Sequence, residues 1–204
     1  MIAIVDYGSG NISAIATIYK QLKVPFTVTG DPKQLAAADR YILPGVGAFD
    51  TVMADLAKGG IIEVLNEQVM GNGKKAMGIC VGMQILASSS DEGERNGLGW
   101  IPGRIRRIDA STIKMAPKLP HMGWNSISTR GEVPLLRDVD CERGFYFLHS
   151  YYFDADNDED VIATVRYGND TACAVARGNV FGLQFHPEKS HSNGVAVFRN
   201  FAEA

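Results

Sequence analysis

Lys75-Ala76-Met77-Gly78-Ile79-Cys80-Val81-Gly82-Met83-Gln84 is the stretch on which the rest of the chain turns. An apolar strand, Lys75 to Ile79, runs straight into a cysteine flanked by Gly78 and Gly82, and an apolar helix-like segment follows. G-x-C-x-G at a strand-to-helix junction has the form of a nucleophile elbow. The reactive atom sits on a strained turn, and small neighbours let backbone approach from either side. A helix N-terminus would lay partial positive charge beside the sulfur and favour thiolate. Only a few per cent, roughly, of a free thiol is ionised near neutrality, so such help matters. The competing reading, a small buried hydrophobe, is the commonest fate of an intracellular cysteine. The two glycines and the strand-turn-helix setting favour the elbow at Cys80, whereas Cys141 and Cys173 have no such surroundings and read as structural.

Upstream of the elbow the chain alternates strand-like and helix-like segments. Ile2 to Asp6 is a short apolar run closing in Tyr7-Gly8-Ser9-Gly10-Asn11, after which Ile12, Ile15, Ile18, Tyr19 and Leu22 recur at helical spacing. Val24 to Val28 reads as the next strand, with Pro25 marking an edge or a start. Tyr41-Ile42-Leu43 stops at Pro44-Gly45-Val46-Gly47, and two helical faces follow: Phe49, Val52, Met53 and Leu56, then Ile61, Ile62, Leu65 and Val69. Repeated strand-helix-strand units predict a parallel sheet covered by helices on both sides. From Gly103 to Phe185 the strands are short and broken by Gly, Pro and Asp: Ile105–Ile108, Tyr146–His149, Val161–Val165, Cys173–Ala176 and Phe181–Phe185. These read as antiparallel or mixed additions to the same sheet. A closing helix presents Val195, Phe198 and Phe201-Ala202 on one face, and Asp154 to Asp160 reads as a solvated loop. Without an internal repeat or a dividing linker, the expectation is one domain over residues 1–204. Its class is α/β, with a mixed, largely parallel central sheet flanked by helices and carrying the elbow.

Composition supports a single well-covered core: 204 residues, 46% apolar and 21% charged. A net charge of -3 argues against nucleic acid as a main ligand, and the basic cluster Arg104, Arg106 and Arg107 alternates with Ile105 and Ile108 like the wet face of a strand. Met1-Ile2-Ala3-Ile4-Val5-Asp6 lacks the basic start of a targeting segment, and Ala76 to Ala87 is too short to span a bilayer. Three cysteines without a CxxC pair point to neither a disulfide framework nor a zinc site. A reducing cytoplasm fits best.

A nucleophilic cysteine needs a base to ionise it and then to protonate the leaving group. His186 stands out in Gly182-Leu183-Gln184-Phe185-His186-Pro187-Glu188, where an apolar strand ends in a histidine with a carboxylate two residues on. Pro187 biases His186 toward extended backbone, in which residues i and i+2 point the same way. Glu188 can then orient the imidazole as a triad carboxylate does. By itself H-P-E is as compatible with a surface turn. In the elbow architecture one oxyanion donor is the amide after the nucleophile, here Val81, and the other comes from a neighbouring strand-to-helix loop. Pro44-Gly45-Val46-Gly47 is placed to be that loop, though alone it is an ordinary glycine-rich turn. Gly8-Ser9-Gly10 resembles the start of a dinucleotide fingerprint, but Ser13 stands where the third glycine belongs, so nucleotide binding is rejected.

Taken together, these blocks resemble the class I glutamine amidotransferases over essentially the whole chain. Gly78-Ile79-Cys80-Val81-Gly82-Met83-Gln84 and Phe185-His186-Pro187-Glu188 look like that family's two active-site blocks. Within it, Asp6-Tyr7-Gly8-Ser9-Gly10-Asn11, Pro44-Gly45-Val46-Gly47, Pro120-His121-Met122-Gly123-Trp124-Asn125, Met83 and the closing Lys189-Ser190 are most like the glutaminase subunits of imidazole glycerol phosphate synthase, the histidine-biosynthesis branch. The resemblance implies a Cys80, His186 and Glu188 triad, oxyanion amides at Val46, Gly47 and Val81, and glutamine contacts from Gln84, Glu92 and the His149-Ser150-Tyr151 wall. It implies no metal and no organic cofactor. It also implies a heterodimer with a (β/α)8-barrel cyclase subunit, contacted through Trp124, Asn125, Lys189, Asn11 and the loop holding His121 and Met122. Rival readings are a glutaminase of another pathway, a free-standing cysteine hydrolase acting without a partner, and a non-catalytic scaffold.

Overall fold

In the computed structural model, which describes residues 1–114 and 116–204, the apolar run Ile2–Val5 is strand β1, buried along its whole length. Helix α1 (Ile12–Leu22) buries Ile15 and Tyr19 and ends at Lys23 in a left-handed turn. Strand β2 begins one residue after Pro25 (Phe26–Thr29), where the sequence suggested a start at Val24. Helix α2 (Pro32–Ala36) is capped by the Asp31 carboxylate, which accepts from the Lys33 amide. Strand β3 (Arg40–Gly45) runs through Pro44 and Gly45 and does not stop before them. Proline is tolerated there because pairing with β1 ends at Ile42. Helices α3 (Phe49–Leu56) and α4 (Ile61–Leu65) follow, then β4 (Lys75–Cys80) and a single turn of helix, α5 (Val81–Gln84).

The second half supplies β5 (Ser89–Ser90), β6 (Gly103–Arg107), β7 (His121–Asn125), β8 (Ser128–Thr129), β9 (Phe145–His149), β10 (Tyr151–Ala155), β11 (Val161–Tyr167), β12 (Asn169–Arg177) and β13 (Val180–Leu183). Helix α6 (His191–Glu203) closes the chain. The main sheet runs β2-β1-β3-β4-β13-β12-β10-β6-β5, with β11 and β8 branching from β12. From β2 to β13 every pairing is parallel; β13, β12, β10 and β6 then pair antiparallel. The chain thus returns through β13 to lie beside β4, across more than a hundred residues of sequence. Three neighbouring parallel strands, β3, β4 and β13, end side by side at Gly45, Cys80 and Leu183. Their carboxyl edge is where open α/β sheets place ligand sites.

Three expectations need correction. Tyr146–His149 does not join the main sheet: as part of β9 it pairs antiparallel with β7 in a separate two-stranded ribbon, so the segment read as a loop, His121 to Asn125, is a strand. Asp160 is not solvated but buried against Arg177 at 3.0 Å, at the end of the acidic stretch. On α6 the buried stripe is Asn193, Ala196, Val197, Phe198, Asn200 and Phe201, and Val195 is half-buried beside it. The arginines of β6 do face water, with Arg104 and Arg106 paired to Asp91 and Asp154. Among the described residues no helix is long and apolar enough to cross a membrane.

Candidate active site

Cys80 sits at φ 56° and ψ -114°, a conformation that costs a non-glycine residue about 1–3 kcal/mol and persists only where its surroundings enforce it. The enforcement is visible. A Cβ on Gly82 would lie 1.8 Å from the Leu43 carbonyl oxygen, and one on Gly78 would lie 2.2 Å from the Gly82 oxygen. Only glycine lets the turn close so tightly between β3 and β4. Because α5 is a single turn, it has little dipole to offer the sulfur, and the charge partner for Cys80 is His186.

His186 follows β13 with extended backbone, its amide donating to the Tyr146 carbonyl at 2.9 Å. The Ser190 hydroxyl donates to the His186 carbonyl at 2.7 Å and accepts from the Tyr146 amide at 3.0 Å, so the histidine turn is clamped to β9. His186 Nδ1 meets Glu188 Oε1 at 2.8 Å, both side chains buried. Burial works against a charged imidazole here, but the neighbouring Cys80 sulfur and the bond to Glu188 outweigh it and raise the pKa from 6.5 to about 9. Glu188 Oε2 has no partner among the described residues, so the carboxylate spends its one strong bond on His186.

Cys80, His186, Val46, Gly47, Val81, Gln84, Glu92, His149, Ser150 and Tyr151 line one pocket of about 230 Å³, with Leu148 and Lys189 at its wall. That is below the roughly 300–1,000 Å³ of drug-sized pockets, and suits a single amino acid. The structure therefore gathers every residue named for catalysis and for glutamine contact except Glu188, which stands behind His186. Glu92 also acts outside the pocket, where its Oε2 accepts the Phe49 amide at 2.9 Å and caps α3 from a distance. Gln84 donates to Gln184 Oε1 at 3.1 Å, and Gln184 Nε2 stands 3.9 Å from the Cys80 sulfur.

The oxyanion expectation changes at Val46. Its amide donates to Ser9 Oγ at 3.0 Å, and the Ser9 hydroxyl donates back to the Val46 carbonyl at 2.9 Å. Tyr7, whose phenol burial pushes up, with Cys80 adding to the shift, donates to the Pro44 carbonyl. The Tyr7–Ser9 turn thus latches the 44–46 segment and occupies the Val46 donor, which leaves Gly47 and Val81, both lining the sulfur's pocket, as the remaining candidates. Gly47, at φ 102°, has the conformational freedom that an L side chain would deny.

The residues named for a partner divide. Trp124 and Met122 are exposed on the outer face of β7; Met122 pairs across to exposed Leu148, and Trp124 to Tyr146. Lys189 is exposed, with its Nζ 5.6 Å over the Tyr146 ring. Asn11 and Asn125 are half-buried. His121 is a correction: it is not an exposed loop residue but is buried in β7, stacked on Tyr167 at 4.0 Å and Phe147 at 4.6 Å. Sequence reading missed Ser9, Gln184 and Ser190. Gln184 alone carried a signal, as a polar residue inside the apolar Leu183–Phe185 run.

A family model described as glutamine amidotransferase class-I matches residues 3–204 of the chain. The chain is 46% identical over 202 residues to the imidazole glycerol phosphate synthase subunit HisH of Leptospira borgpetersenii, covering 99% of each. It is 47% identical over 203 residues to the subunit of the same name from Bdellovibrio bacteriovorus, covering 100% of each. Among solved structures it is similar to a glutamine amidotransferase at 19% identity and TM-score 0.74, covering 100% of this chain and 98% of that one. PurLQS from Thermotoga maritima aligns at 21% identity and TM-score 0.68, covering 99% and 97%. At those identities the structural likeness concerns the fold.

Proposed function

The chain belongs to the class I glutamine amidotransferases, and from that premise we propose that it hydrolyses L-glutamine to glutamate and ammonia through a thioester on Cys80. The Cys80 thiolate attacks the carboxamide carbon, and the negative charge moves to the carboxamide oxygen, where the Gly47 and Val81 amides receive it. Val46 joins them once its amide leaves Ser9. His186, held by Glu188, gives its proton to the departing nitrogen, so that ammonia leaves and the γ-glutamyl thioester remains. It then takes a proton from water, hydroxide adds to the thioester carbonyl, and glutamate departs as the sulfur is restored. Each preorganised oxyanion donor is worth about 2.7–4 kcal/mol of barrier. The observation that carries this reading is the meeting of a strained cysteine and a buried histidine–carboxylate couple in one amino-acid-sized pocket.

The relatives are named as subunits of imidazole glycerol phosphate synthase, and this chain takes the same place as the glutaminase of histidine biosynthesis. Its ammonia passes to a (β/α)8-barrel cyclase subunit in a cytoplasmic heterodimer. The exposed apolar residues Met122, Trp124, Leu148 and Val46 support a docking face beside the pocket mouth. Glutamate release measured with and without the cyclase subunit and its ligand tests the assignment. Slow turnover alone and strong activation by the pair is the expected result, and equal rates would favour a free-standing hydrolase.

A further inference from the structure

A second, larger cleft of about 680 Å³ is lined among others by Lys114, Met122, Trp124, Asn125, Arg166 and His121. Two buried histidines that the mechanism above does not use, His121 and His149, separate it from the glutamine pocket. They are linked: His121 Nδ1 lies 3.0 Å from His149 Nε2. On one side His149 Nδ1 lies 2.7 Å from the Tyr151 carbonyl. On the other, Asn125 Nδ2 lies 3.2 Å from His121 Nε2 and 3.0 Å from the Arg166 carbonyl. Gly123, at φ 118°, lies between residues 121 and 125 in β7 and carries no side chain to part them.

The protons in this chain can be placed by elimination. A carbonyl only accepts, so His149 Nδ1 carries its hydrogen, and a neutral His149 then has a bare Nε2. The hydrogen between the rings must come from His121 Nδ1, which leaves His121 Nε2 bare to accept from Asn125. The amide's other hydrogen goes to Arg166. A second proton on either ring would set donor against donor at one link. Burial lowers both histidines, His121 to about 4 and His149 to about 3, with neighbouring His121 and His186 adding to the fall at His149. The aromatic stack on both faces of His121 fixes its ring plane.

We propose that Asn125, His121 and His149 form a proton-ordered hydrogen-bond chain that positions the Ser150–Tyr151 wall of the glutamine pocket, with both imidazoles in the Nδ1–H tautomer. His121 and His149 are positioning residues, since neither is needed at the reacting carbon. The arrangement also ties that wall to Asn125, next to exposed Trp124, so whatever binds there acts on the wall through three fixed bonds. The role in glutamine binding rests on the function proposed above, whereas the tautomers do not.

Histidine ¹⁵N–¹H spectra of the full chain should show two neutral Nδ1–H rings, the reverse of the form a solvent-exposed histidine prefers. His121→Phe keeps the stack and removes the donor. It should raise KM for glutamine roughly three- to tenfold, as expected for one lost buried bond, with kcat within about twofold. His121→Asn, which returns an N–H near the Nδ1 position, should recover most of that loss. An Nε2–H tautomer at His149, or an unchanged KM in a folded His121→Phe protein, would overturn the inference. So would an Asn variant no better than Phe. If wild type releases no glutamate, the functional reading fails instead, and the spectra still decide the proton order.

Discussion

His186 and the pair His121–His149 lie at nearly the same depth, 3%, 3% and 6% exposed, yet the protein holds them in opposite states. At the carboxyl edge of the parallel strands, His186 faces a sulfur and a carboxylate and stays charged to about pH 9. In the β7–β9 ribbon the other two face carbonyls, an amide and each other, and burial keeps them neutral down to about 4 and 3. Depth alone does not set the charge of a buried histidine; the partners at its two nitrogens do. One region is built to move a proton, and the other to hold protons still.

The largest expected effect removes the partner that makes His186 different. Glu188→Gln keeps the shape but takes away the charge, and kcat for glutamine should fall about 10²- to 10⁴-fold. In steady-state profiles the alkaline limb should also move down from pH 9. Unchanged kcat would mean that Glu188 only packs. A smaller effect is expected at the latch on the oxyanion segment. Ser9→Ala frees the Val46 amide, so basal glutamate release without partner should rise about two- to tenfold, the worth of one ordinary hydrogen bond. A fall instead would show that Ser9 supports the active loop.

A gradual effect, spread over several pH units, separates the regions by pH. The folded pKa of His186 lies above the unfolded 6.5, so its contribution is complete below about 6.5 and is lost as pH rises through 9. For His121 and His149 the folded values lie below 6.5, so their contribution is complete above it and is lost as pH falls toward 4 and 3. Each group alters stability by at most about 1.4 kcal/mol per pH unit. Urea midpoints should therefore flatten on the acid side in His121→Phe and on the alkaline side in His186→Phe. The same slope in both would erase the distinction.

The parallel half could be read from sequence because its evidence is local. The glycines beside Cys80 and the proline after His186 fix the backbone by their own chemistry, and β-α-β repetition brings the ends of β3 and β4 to one edge, whereas the return of β13 to that edge is a long-range pairing. The ribbon could not, because its order lies in cross-strand pairing: the His121 to His149 register depends on two segments 28 residues apart, too far for a single turn to set it. A Pro-Gly-rich segment reads as loop by composition, and only pairing with β9 makes it a strand that buries His121. Ser9 escaped for a similar reason, since its partner is backbone at Val46, which no side-chain pattern reports.

The central claim is that the sulfur at position 80 carries the glutamyl group. Acid-quenching the protein during glutamine turnover and mapping the adduct by peptide mass spectrometry tests it most directly. The account predicts a γ-glutamyl thioester on the Cys80 peptide that builds within one turnover, and none in His186→Ala after the same interval. Sustained glutamate release with Cys80 unmodified, or an adduct on Cys141, would contradict it.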